Sequence, residues 1–147
     1  MLRQLRQRAT EALSSSREIV LSACGPADIQ AESLPCEAAG LALYVLVPRT
    51  SDLLFNLESE KLVVATAETW QARGPARVLR PGQYPEQLAL ARTPEAAWCE
   101  VAELRPTRLQ LRPLRGQAQG ETIDIWKEPD DGVSALLVPG PEAWSPT

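Results

Sequence analysis

Between Leu41 and Leu79 three strand patterns follow one another with one helical turn among them, an order around which a sheet can be organised. Leu41 to Val47 is a continuous apolar run, the pattern of a strand buried on both faces. Lys61 to Thr66 is short, β-branched and mostly apolar. Trp70 to Leu79 alternates, so that Trp70, Ala72, Gly74, Ala76 and Val78 face one way and Gln71, Arg73, Pro75, Arg77 and Leu79 the other. After the first strand, Arg49-Thr50-Ser51-Asp52 leads into Leu53 to Leu57, a helical turn that Ser51 or Asp52 can cap by accepting from its free amides. The same amides attract anions. The corner is therefore a candidate phosphate holder beside a polar strand face.

The rest of the chain extends this pattern. Leu2, Leu5, Ala9, Ala12 and Leu13 recur at near-helical spacing, predicting an amphipathic helix from Met1 to about Ser15 that docks on the end of a sheet. Arg17 to Cys24 reads as a strand ended by Gly25-Pro26. Ile29 to Cys36 is a more polar strand in which Pro35 marks an edge or an irregular end, and Ser33 carries an exposed hydroxyl. Beyond Arg80-Pro81-Gly82, Gln83 to Ala91 predicts a short helix with Tyr84, Leu88 and Ala91 inward. Trp98 to Leu104 and Thr107 to Leu114 then read as two antiparallel strands about Arg105-Pro106. In the second, Leu109 and Leu111 oppose Arg108, Gln110 and Arg112.

From Gln117 acidic residues, Pro and Gly become frequent, predicting an extended tail whose apolar segment Val133 to Val138 packs on the barrel or on a partner. Trp126 and Trp144 are candidate anchors for it, and Asp130-Asp131-Gly132 reads as a turn. About seven strands without sustained strand-helix alternation describe a mainly β chain, a small antiparallel barrel with an N-terminal helix and short connecting helices. The expected division is helix 1–15, barrel 16–125 and tail 126–147.

Composition narrows the chemistry. The chain has no histidine, which removes histidine general bases and the Ser-His and Cys-His pairs, so no catalytic side chain is assigned. Cys24, Cys36 and Cys99 lack close spacing, so no metal site is expected and each reads as a small buried hydrophobe. A net charge of -4 argues against a nucleic-acid surface, while leaving room for a phosphate-bearing small molecule. No apolar run is long enough to span a bilayer and the N-terminus has no apolar signal core, so a soluble cytoplasmic protein without membrane contact is expected. The basic N-terminal helix also has the makings of a docking element for an acidic partner or membrane surface. Trp70 and Trp98 read as core residues, and Arg73 and Arg77 either as ligand contacts or as surface partners of Glu68 or Glu100.

The order of these pieces carries a resemblance. The buried strand, Arg49-Thr50-Ser51, Phe55-Asn56-Leu57, the strand Trp70-Gln71-Ala72-Arg73-Gly74-Pro75-Ala76 and Leu104-Arg105-Pro106-Thr107-Arg108-Leu109 together resemble the FMN-binding split barrel of pyridoxamine 5'-phosphate oxidase-like proteins, over about Ser16 to Asp124. The resemblance implies a homodimer that holds the flavin between its subunits. It assigns Thr50 and Ser51 to the FMN phosphate with Arg49 as a nearby counter-charge, and Gln71 and Arg73 to the ring or phosphate. Hydroxyls, free amides and a guanidinium fork are what a dianionic phosphate requires. Asn56 reads as a brace for the helix.

One departure stands out: the helix position where such proteins usually place Lys or His reads Asp52-Leu53-Leu54. The resemblance thus implies an FMN-dependent oxidoreductase of unknown substrate, in which the flavin supplies the redox chemistry. The departure points to an alternative, a non-catalytic dimeric binding or scaffold protein of the same fold that has lost flavin binding.

Overall fold

In the computed structural model residues 2–59, 62–113, 120–128 and 132–138 are described. The chain opens with helix α1 (Leu2–Ser14), which buries Leu5, Ala9 and Leu13 at four-residue spacing along one face. Strands β1 (Glu18–Gly25), β2 (Asp28–Ala39) and β3 (Ala42–Pro48) follow as an antiparallel meander. Helix α2 (Asp52–Ser59) leads to β4 (Leu62–Thr66) and β5 (Trp70–Leu79). Then come β6 (Cys99–Leu104), β7 (Arg108–Leu111), β8 (Glu121–Glu128) and β9 (Gly132–Val138).

Six of these strands close a barrel. The antiparallel neighbours run β1-β2-β3-β6-β5-β4, and β4 returns to β1 through Val20–Thr66, Leu21–Ala65 and Ser22–Val64. Closure leaves the ring without an edge. Apolar residues of alternate positions, among them Leu21, Val45, Val63, Trp70, Ala72 and Leu104, fill its interior. The helices close its two ends: α2 sits by the β1–β2 turn, and α1 lies near the β2–β3 turn.

The split lies on β5. Its Ala76–Leu79 half pairs with β6 and its Trp70–Arg73 half, on the same edge, pairs with β7. The chain crosses from β6 to β7 over Gly74, where a Cβ would stand 2.4 Å from the Arg105 carbonyl oxygen. Arg105 N–H donates to Pro75 O at 3.0 Å and Thr107 N–H to Arg73 O at 2.8 Å, so the crossing is laced to β5 on both sides of the glycine. From β7 the sheet continues outward through β8 and β9.

Four expectations need correction. The strand around Pro35 is no edge: β2 pairs with β1 as far as Pro35 and with β3 from Cys36 onward, so the proline stands where the strand changes partner. Gln83 to Ala91 forms no α-helix; the segment after β5 folds as 3-10 turns at Pro81–Gln83, Ala89–Arg92 and Pro94–Trp98, and the prolines at 81, 85 and 94 deny it a continuous amide ladder. This segment covers the outer face of β3, β5 and β6 and forms a second core with Tyr44, Leu46, Leu79, Leu88 and Val101. β6 and β7 do not pair with each other; each is antiparallel to β5.

Among the described residues the sheet also reaches nine strands rather than seven. Gly132–Val138 pairs along β8 from Thr122–Val138 to Glu128–Gly132, because Thr122 to Trp126 offers the β-branched and aromatic residues a strand favours. The Asp130-Asp131 turn and Trp144 lie outside the described residues. Among the described residues no helix is long and apolar enough to cross a membrane.

Candidate functional site

The corner predicted to hold a phosphate is built where β3 ends. Ser51 N–H donates to Pro48 O at 3.0 Å, turning the chain, and Ser51 Oγ accepts from Leu53 N–H at 3.0 Å as the cap of α2. Leu54 N–H donates to Ser51 O, so two of the first amides of the helix are engaged from within. The Ser51 hydroxyl donates to Glu32 Oε2 at 2.5 Å. Asp52 opens the helix, where the positive end of the backbone dipole favours its carboxylate. Thr50 is exposed on the turn.

Arg49 is held away from Ser51. Its Nε donates to Glu100 Oε1 at 3.1 Å and its Nη1 to the Ala97 carbonyl at 2.8 Å. A cleft of about 600 Å³ opens beside it, with Arg80 and Glu58 as further charged residues around Leu54 and Val78. Arg carries five donors, so three guanidinium hydrogens of Arg49 remain beyond these two bonds. The corner therefore combines Arg49 and Arg80 with the carboxylates Glu32, Asp52, Glu58 and Glu100. Its chemistry fits a phosphate in part: Thr50 and Arg49 supply donors, but Ser51 must exchange Glu32 for the ligand.

Asn56, fully buried on α2, braces the fold as its residue type suggested. Its Oδ1 accepts from Ala27 N–H at 2.9 Å, and its Nδ2 donates to Asp28 O at 2.7 Å and Ala23 O at 3.2 Å. The β1–β2 turn, in which Asp28 adopts φ +62°, is thereby clamped to the helix.

Gln71 and Arg73 stand elsewhere. Both point out of the barrel, because Trp70, Ala72 and Gly74 take the inner positions. Gln71 Nε2 donates to Thr66 Oγ1 at 3.3 Å. Arg73 lies opposite Arg108 in register, and Asp124 holds Arg108 through two bonds of 2.7 and 3.2 Å. Arg49 shares its cleft with Leu79, six residues from Arg73 and eight from Gln71 on the same strand, a separation of roughly 20 to 26 Å at strand rise. Within one chain the five candidates form two groups, Arg49-Thr50-Ser51 and Gln71-Arg73, and do not converge.

Sequence reasoning missed a buried polar cluster. Tyr44, Glu103 and Arg77 are direct cross-strand neighbours on β3, β6 and β5. Glu103, only 4 % exposed, accepts from Tyr44 Oη at 2.9 Å, Arg77 Nε at 3.0 Å and Arg105 Nε at 3.1 Å. Burial alone would push its carboxyl up, but the bonds from Arg105, Tyr44 and Arg77 outweigh it and hold the group below the usual carboxylate range. Burial first, and the bond to Glu103 second, raise the Tyr44 phenol. The available signal was Glu103 in the alternation of Cys99 and Val101 with an arginine two residues on. Arg77 thus pairs with Glu103 rather than with Glu68 or Glu100.

Two side chains depart from their expected burial. Trp98 is 58 % exposed, since the turn before β6 carries it off the sheet, whereas Trp70 is fully buried. Cys24 is exposed near the β1–β2 turn, while Cys36 and Cys99 are buried. Among the described residues no group of three or more His, Cys, Asp or Glu side chains is placed to hold a metal ion.

No protein-family profile and no curated protein matches the chain. Solved structures do share its fold. A pyridoxamine 5'-phosphate oxidase-related, FMN-binding protein of Nostoc punctiforme superposes with a TM-score of 0.60 at 10% identity, covering 92% of this chain and 93% of that one. A Clostridium acetobutylicum protein related to general stress protein 26, of the pyridoxinephosphate oxidase family, gives 0.60 at 8% identity over 84% and 96%. A heme-binding protein of Mycobacterium smegmatis gives 0.56 at 20% identity over 78% and 56%.

Proposed function

We propose, from this shared split-barrel fold of pyridoxamine 5'-phosphate oxidase-like proteins, that the chain binds FMN and belongs to the flavin-dependent oxidoreductase class. The observation that carries the reading is the superposition over almost the whole chain on an FMN-binding protein, together with an Arg-Thr-Ser corner at the end of β3. Thr50 and the spare guanidinium hydrogens of Arg49 meet the phosphate, and Ser51 joins them on releasing Glu32. The isoalloxazine, when bound, supplies the redox chemistry, so no catalytic side chain is required of a chain without histidine.

A second copy of the chain completes the site in this reading. Gln71 and Arg73, too far from the corner of their own protomer, reach the flavin held by the partner. The outer face around them supports such an interface, because Val20 and Leu62 expose apolar surface beside Arg73 and Gln71. Light scattering after size exclusion tests it: a dimer is expected, and a monomer at all concentrations contradicts it.

The second reading, a non-catalytic dimeric member of the fold, draws on the bond between Ser51 and Glu32, a carboxylate on the hydroxyl that the first reading gives to the phosphate. Absorbance of the purified protein in the flavin region and a fluorescence titration of FMN separate the two. Quenching that saturates is expected; no change at roughly 100 µM FMN, where a useful cofactor site is filled, overturns the flavin reading.

A further inference from the structure

The geometry points to a second ligand site at the α1 end of the barrel, one that takes a small molecule with an apolar body and a single anionic head, a carboxylate or a phosphate. A cleft of about 470 Å³ lies there, within the size range of small-molecule pockets. Its walls are apolar, formed by Leu41, Ala42, Pro106 and Ile125 from the β2–β3 turn, the β6–β7 crossing and β8. Its charged lining, among the described residues, consists of two guanidiniums, Arg6 from α1 and Arg105 from the crossing. No carboxylate faces it among those residues.

The two arginines are prepared in different ways. Arg105 is fixed by Glu103, through Nε at 3.1 Å and Nη2 at 3.4 Å, which leaves three of its five hydrogens for a ligand. Because Glu103 also holds Arg77, a neighbouring cleft lined by Arg77, Glu103 and Arg105 carries one positive charge in excess. Arg6 has no ion-pair partner among the described residues, whereas Arg8 two positions on is paired with Glu121. A ligand's anionic head that bridges Arg6 and Arg105 gains the charge-assisted bonds of both, and its apolar part covers Leu41 and Pro106. A neutral ligand of the same shape gains only the second contribution.

None of the five candidate flavin residues lines this cleft, and Thr50 lies beyond the opposite end of β3, roughly 20 Å away at strand rise. The two readings stand or fall separately.

The test titrates octanoate, octyl phosphate and the neutral 1-octanol into isotopically labelled protein and follows backbone amide shifts. Either anion is expected to shift the amides of Leu41, Ala42 and Thr107 and to bind at least tenfold more tightly than octanol. Arg6→Gln and Ala39→Glu, both at exposed positions that line the cleft, should each weaken anion binding at least threefold and leave octanol unchanged. The proposal is overturned by the absence of shifts with either anion at roughly 5 mM, well above a millimolar site. Octanol binding as tightly as the anions, shifts confined to other regions, or variants that bind like the parent chain overturn it equally.

Discussion

Ser51 donates its hydroxyl hydrogen to Glu32 across the gap between the α2 cap and β2, so the hydroxyl predicted to hold a phosphate is occupied by a carboxylate. A carboxylate within hydrogen-bond reach of a bound dianion costs affinity, since two like charges near a protein surface repel by some kcal/mol. Glu32→Gln should therefore tighten FMN about three- to tenfold, while Arg49→Ala weakens it. Fluorescence titrations at low and high salt check both, and an unchanged dissociation constant for Glu32→Gln shows that the phosphate sits elsewhere.

Gly74 is where the barrel splits, and the Arg105 carbonyl occupies the space of a side chain. Gly74→Ala should cost about 1 to 3 kcal/mol, as overpacking against backbone does. Gly82, around which an added Cβ meets nothing within 4 Å, is the control, expected to stay within about 0.5 kcal/mol. Urea denaturation of the two variants measures the contrast.

Asn56 satisfies two carbonyls and one amide of the β1–β2 turn from a fully buried position. Asn56→Ala strands those groups and should lose at least about 2 kcal/mol. Amide exchange should quicken at Ala27, whose N–H loses its acceptor.

Glu103 gives stability a pH dependence of definite sign. Its folded value lies below its unfolded value, so its contribution is present above the unfolded carboxyl range, near pH 4.3, and is lost as pH falls through the lower folded value. Glu103→Gln should cost about 1 to 3 kcal/mol at pH 7. The gap between parent and variant should close on acidification, as read by denaturant titration at neutral pH and at about pH 3, below the unfolded carboxyl range; a gap that widens contradicts the assignment.

Thiol reactivity follows burial. Cys24 is exposed, whereas burial, with Glu18 adding to it, pushes the Cys36 thiol up to about 11, and burial also raises Cys99. Under native conditions a disulfide reagent should modify one thiol quickly and reach the other two only on unfolding. Fast reaction of all three contradicts the packing.

The barrel was legible because its signals are local. Alternation over Trp70 to Leu79 and the apolar run before Pro48 fixed faces and strands, and four-residue spacing fixed α1. The partner change of β2 at Pro35 and the division of β5 between β6 and β7 were not legible, since strand pairing is a long-range property. The same holds for the site. Ser51 was readable as a cap, but nothing in the neighbouring residues announces that Glu32 reaches it or that Glu100 draws Arg49 aside. Glu103 escaped notice because its three partners come from three segments of the chain.

The most direct test of the corner is a calorimetric comparison of FMN with riboflavin, which differ by the phosphate. FMN is expected to bind at least tenfold more tightly, about 1.4 kcal/mol, and Thr50→Ala should narrow that gap without affecting riboflavin. Equal affinities, or no binding of either flavin, would contradict the account.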